Sequence, residues 1–137
     1  RRLIADGLAD LVMPGHLYLE ALADPDGRLP ASLSATALGV LRGDLGFAGV
    51  IISDDMEMQA IEADYGLEAA AVAAVRAGTN ILIYSNYNHQ RPDLPDELVA
   101  ILARRAGEDP ELRRLIAESY RRIMALKAGV GRKAPPP

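Results

Sequence analysis

Three short apolar runs, Leu11-Val12-Met13, Val50-Ile51-Ile52 and Ile81-Leu82-Ile83-Tyr84, are separated by stretches with helical periodicity, and each gives way to polar or turn-forming residues. Runs this short, bounded by turn formers, are strands rather than helices. Val50-Ile51-Ile52 is β-branched throughout, which suits a pleated and covered surface. We therefore expect strands at residues 10–13, 50–53 and 80–84. Strands that are continuously apolar and alternate with helices form a parallel sheet covered by helices. The three strands should lie side by side and parallel. Their connecting helices should share one side, because crossovers between parallel strands are right-handed.

The helical stretches carry their own punctuation. Arg1 to Asp10 reads as the end of a helix with Gly7 at its cap, followed by a turn. Ser34 can cap a helix that places Leu38, Leu41, Arg42 and Leu45 at helical spacing and stops at Gly46. Leu67 to Ala77 is an alanine-rich helix closed by Gly78, and Asp96 to Ala106 is another. Pro110 opens the last helix, at a position where a missing N–H does no harm. Residues 24–30 are dense in turn formers and should be irregular, and residues 56–64 form a short helix or loop. Ser85 to Pro95 is expected to be a polar loop, and residues 134–137 a disordered tail.

A chain of 137 residues fits one modest domain. Without cysteine it has no disulfides, thiolate metal sites or cysteine nucleophile. The net charge of −4 argues against a nucleic-acid partner. The arginine pairs 104–105, 113–114 and 121–122 lie in helical patterns and read as solvated faces. No apolar run approaches the ~20 residues of a membrane span. No leader is visible at Arg1, and a cytoplasmic location is expected.

Polar residues follow each strand: His16, then Ser53, Asp54 and Asp55, then Ser85, Asn86 and Asn88. A parallel sheet gathers these on one rim, where such folds bind ligands. The adjacent carboxylates Asp54 and Asp55 are costly beside a core. On extended backbone, neighbours point to opposite sides, so one can face a pocket while the other binds backbone. Pattern alone leaves two readings open: a nucleophilic or metal-binding carboxylate, or a pair capping the next helix. His16 and His89 show no metal-ligand spacing, and no metal or other cofactor is expected. Met56 and Met58 read as packing residues.

The run LRGDLGFAGVIISDDMEMQAI (41–61) resembles the nucleophile segment of glycoside hydrolase family 3, and is most similar to its β-N-acetylhexosaminidase branch. LVMPGH (11–16), PASLS (30–34) and AAVRAGTNILIYS (73–85) resemble neighbouring segments of that family in the same order. The resemblance implies the last three β/α units of a (β/α)₈ TIM barrel plus a C-terminal helix, over residues 1–133. It implies Asp54 as the catalytic nucleophile, with His16 and Asp55 as substrate-binding residues. The implied chemistry is retaining hydrolysis of terminal β-N-acetylglucosaminides, in cell-wall sugar turnover. The branch's proton donor is a His supported by Asp in a K-H-F-P-G-H-G-like motif, and this sequence contains no such motif. The expectation is therefore a barrel fragment that carries the nucleophile, is inactive alone, binds a carbohydrate substrate and pairs with another copy or the missing barrel half. Two other readings are a non-catalytic binding or assembly module and a receiver-like domain with Asp54 as phosphoacceptor. The second is disfavoured because Lys127 and Lys133 lie far along the chain from where its lysine belongs.

Overall fold

The computed structural model describes residues 1–25, 27–87 and 90–130. Strands β1 (Leu11–Val12), β2 (Val50–Asp55) and β3 (Ile81–Ile83) form one sheet in the order β1-β2-β3, parallel at both junctions. The helices are α1 (Arg2–Ala5), α2 (Ala35–Gly39), α3 (Gln59–Glu62), α4 (Leu67–Ala77), α5 (Leu94–Glu108) and α6 (Pro110–Gly129). Short 3₁₀ turns at Glu20–Leu22 and Ala31–Leu33 lead from β1 to α2. The expected α/β architecture and parallel order are present. Asn88, His89 and the expected tail at 134–137 lie outside the described residues.

The caps follow from the sequence. Ser34 Oγ accepts from the Ala37 N–H at 2.9 Å, and Asp109 Oδ1 accepts from Glu111 and Leu112 at 2.9 and 3.1 Å. Each satisfies N–H groups that a first helical turn leaves without partners.

Boundaries differ from expectation where pairing or side chains override pattern. β1 is shorter than residues 10–13, because Pro14 offers no N–H to extend the ladder. β3 stops at Ile83 instead of Tyr84. β2 continues past Ser53 to Asp55, which pairs with Ile83. The helix from Ser34 is not uniform: after α2 the chain widens into a π turn at Val40–Asp44, with Leu45 N–H bonded to Val40 O at 3.0 Å. α5 starts at Leu94 rather than Asp96, taking Pro95 into its first turn, where no N–H is needed.

Side chains of one parity pack against helices. Val12 and Ile51 join Leu38, Phe47 and Ala77; Leu82 joins Val72, Val75 and Leu112; Leu82 and Tyr84 join Leu33, Met56, Ile61, Ala70 and Ala74. Leu11, Ile52, Ile81 and Ile83, of the opposite parity, belong to none of these clusters. Leu11 and Met13 are 41% and 49% exposed. One sheet face is thus covered by helices, and the other is apolar and, apart from the buried Val50, partly exposed. Among the described residues no helix is long and apolar enough to cross a membrane.

Below the sheet, Arg42 ties three elements together. Its guanidinium donates to Phe47 O at 2.8 Å, Gly49 O at 2.6 Å and Asn80 Oδ1 at 2.8 Å. Asn80 Oδ1 also accepts from Ile51 N–H at 2.9 Å, and Asn80 Nδ2 donates to Ser119 Oγ at 3.0 Å. Burial, with Arg122 nearby, brings the Arg42 guanidinium down to about 10, while Glu118 opposes this. Gly49 enters β2 with no room for a side chain: a Cβ there would lie 2.5 Å from Asp10 O and 2.6 Å from the Phe47 ring. Gly49→Ala is therefore expected to destabilise the fold by roughly 2–3 kcal/mol, as overpacking does. Urea unfolding of the two proteins checks this; an unchanged midpoint would show that the β2 entry yields freely.

Candidate active site

The site forms where β2 ends. Ile52 pairs with Ile81 and Asp55 with Ile83, so β2 carries one more residue than β3 over this interval. A bulge of this kind leaves ladder groups unmatched and re-aims side chains. Ser53, fully buried, fills the gap: its Oγ accepts from the Ile83 N–H at 2.9 Å. The next residue is Asp54. Among the described residues it takes one hydrogen bond, from the Asp55 N–H to Oδ1 at 2.8 Å. It is half-buried, and that one bond leaves most of its capacity as an acceptor unused.

Asp55 is more tightly engaged. Its Oδ1 accepts from Glu57 N–H at 3.1 Å and Ser85 N–H at 3.0 Å. Burial pushes its carboxyl up, but the Ser85 hydroxyl, the two N–H groups and nearby His16 outweigh burial and hold it below the usual aspartate range. His16 reaches the same residue from the loop after β1, with Nε2 2.9 Å from Asp55 O. Its Nδ1 lies 2.5 Å from Ser32 Oγ. His16, Asp54, Asp55 and Ser85, read from sequence as one rim, are brought together around the end of β2.

Glu57, only 9% exposed, accepts from Ser85 Oγ at 3.0 Å and from the Asn86 N–H. Asn86 adopts φ +52, a conformation asparagine tolerates, and its side chain closes the loop on Arg91: Oδ1 accepts from Arg91 N–H at 2.8 Å and Nδ2 donates to Arg91 O at 3.0 Å. Tyr84 Oη is buried with no partner among the described residues, and burial together with Glu57 pushes it up to about 12. Among the described residues no three His, Cys, Asp or Glu side chains converge as metal ligands.

The chain matches the glycosyl hydrolase family 3 N terminal domain over residues 1–126. It belongs to glycosyl hydrolase family 3. It is 33% identical over 114 residues to a beta-hexosaminidase of Bordetella avium, a match covering 82% of this chain and 30% of the relative. A beta-hexosaminidase of Alkalilimnicola ehrlichii is 35% identical over 111 residues, covering 80% of this chain and 28% of the relative. Of solved structures, a β-N-acetylhexosaminidase from Beutenbergia cavernae matches with TM-score 0.77 and 31% identity, over 90% of this chain and 35% of that one. A family 3 β-N-acetylglucosaminidase from a Paenibacillus species matches with TM-score 0.73 and 36% identity, over 98% of this chain and 24% of that one. This family 3 chain thus spans 30% and 28% of the two curated relatives' lengths.

Membership in family 3 displaces the receiver-like reading. Two residues of the site were missed in the sequence. Glu57 stands between Met56 and Met58, which the sequence presents as packing residues; Met56 is buried, but Met58 is 44% exposed. The usable signal was Ser85-Asn86 just past a strand, with N–H and hydroxyl groups that need an acceptor. Ser32 stands out in the sequence only as part of PASLS (30–34).

The Asp55 clasp makes stability depend on pH. Its folded carboxyl lies below the unfolded value of 3.8, so its contribution is present above that value and is lost as pH falls through the folded value. The stability difference between wild type and Asp55→Asn should shrink between about pH 5 and about pH 2. Unfolding midpoints measured across that range check this, and a difference independent of pH would remove the carboxylate's role.

Proposed function

We propose that this chain contributes the nucleophile end of a retaining exo-glycosidase that acts on terminal β-N-acetylglucosaminides, in the turnover of cell-wall sugars. The carrying observation is Asp54: a carboxylate on the bulge at the C-terminal end of the central strand, accepting a single hydrogen bond among the described residues and flanked by Asp55, whose Oδ1 accepts two. That is what the chemistry requires of a nucleophile. It must stay ionised and attack the anomeric carbon from a fixed position, and the glycosyl ester it forms is later released by water. His16 and Asp55 belong to the wall of the same sugar site. The names of the relatives, beta-hexosaminidase and β-N-acetylglucosaminidase, support the choice of sugar.

In this reading, residues 1–133 are the last three β/α units and C-terminal helix of a (β/α)₈ barrel. The open apolar sheet face supports this, because parallel strands are covered on both faces and barrel interiors are filled by strand side chains. The proton donor comes from a segment with the K-H-F-P-G-H-G-like motif, which is absent from residues 1–137. The exposed apolar residues Leu8, Leu11, Met13, Leu17 and Leu19 favour one further reading, a partial barrel kept for assembly with a partner. The test is mechanism-based labelling: a protein containing residues 1–137 within a complete barrel is treated with a slow-leaving fluorosugar of the N-acetylglucosamine type and its peptides are weighed. Label on the peptide carrying Asp54 supports the enzyme. No label and no hydrolysis favours the assembly module.

A further inference from the structure

The His16 ring is held at both nitrogens. Nε2 lies 2.9 Å from the main-chain oxygen of Asp55, and a carbonyl only accepts, so Nε2 carries the hydrogen. In the neutral ring Nδ1 is then an acceptor, and the Ser32 hydroxyl, 2.5 Å away, donates to it. Ser32 is 0% exposed, and its own main-chain oxygen accepts from the Thr79 hydroxyl at 3.1 Å. A chain of hydrogen bonds therefore runs from Thr79, just past α4, through Ser32 and His16 to the end of β2. Asp55 is gripped on both sides: its N–H by Asp54 Oδ1 and its C=O by His16. Rotation of the Asp55 backbone would carry the Asp54 carboxylate with it.

We propose that His16, oriented by Ser32, is a positioning residue for Asp54, acting through the Asp55 main chain. The proposal rests on the reading of Asp54 as nucleophile. With both nitrogens engaged, the ring meets a sugar only through its carbon edge, so its effect falls on the geometry of attack rather than on sugar affinity.

Two substitutions divide the roles of the ring. A glutamine amide at position 16 reaches the place of Nε2 and can still donate to Asp55 O, whereas an asparagine amide reaches only the place of Nδ1. In a catalytically competent protein containing residues 1–137, His16→Asn is expected to lower kcat by about 10²-fold with KM held, the size of loss that small misplacements of reacting groups produce. His16→Gln should lose much less of kcat than His16→Asn. Ser32→Ala should lower kcat, and Ser32→Thr, which restores a hydroxyl, should recover it. In the 137-residue chain itself, ¹⁵N ring signals of His16 in mildly alkaline solution should place the hydrogen on Nε2, with the Nδ1 signal moving on Ser32→Ala. A ring protonated at Nδ1, a rise in KM at constant kcat, or His16→Gln as impaired as His16→Asn would each overturn the positioning role alone. Full activity of Asp54→Asn would instead overturn the nucleophile reading and this inference with it.

Discussion

Asp54→Asn, in a complete enzyme containing this segment, is expected to lower kcat/KM by roughly 10⁴-fold or more and to abolish the glycosyl-enzyme, as loss of a covalent nucleophile does. An amide matches the carboxylate in size and can keep the contact with the Asp55 N–H, so the loss would report charge and nucleophilicity rather than packing. Asp55→Asn supplies the contrast. Its carboxylate holds Glu57 and Ser85 backbone groups, so the substitution should lower stability and weaken binding while leaving some turnover. Steady-state kinetics of both variants, with fluorosugar labelling and peptide masses, separate the two aspartates. Unimpaired turnover by Asp54→Asn, or label on Asp55, would transfer the role.

The isolated 137-residue chain is expected to be nearly inert towards aryl β-N-acetylglucosaminides, short of a complete barrel by at least the ~10²–10⁴-fold that general-acid assistance supplies. The carboxylates beside Asp54 are occupied: Asp55 with two backbone N–H groups, and Glu57 with Ser85 Oγ and the Asn86 N–H. Purified chain should be assayed beside its Asp54→Asn counterpart, so that a contaminating glycosidase shows as equal rates in both. Rapid turnover confined to the wild-type chain would mean that a group within these residues serves as acid.

The strands and their order were legible because a run such as Val50-Ile51-Ile52 has few alternatives. The rim was legible because polar residues follow the strands at His16, Asp54 and Ser85. What escaped the sequence was set by contacts between distant positions. The bulge at Ser53 depends on how β2 registers against β3, which strand composition does not encode. The π turn at Val40–Asp44 accompanies an Arg42 side chain bonded to Phe47, Gly49 and Asn80, a partnership joining residues 38 apart. Glu57 escaped for a similar reason: its burial depends on Ser85 and Asn86, 28 and 29 residues along the chain, folding over it. The arginine pairs did behave as read. Arg104, Arg105, Arg114 and Arg122 pair with Glu68, Glu111 or Glu118, while Arg113 donates to the main-chain oxygens of Ala106 and Gly107 and Arg121 is exposed.

The uncovered sheet face changes what a stability measurement on this chain means. A covering that settled over Leu11, Met13, Ile52, Ile81 and Ile83 and bound only the folded form would add its binding free energy to the apparent folding free energy. The melting temperature of these residues would then be a property of chain plus covering, rising with the concentration or tethering of that covering. For a chain covered in this way, a single number measured on the chain alone would describe only its uncovered limit.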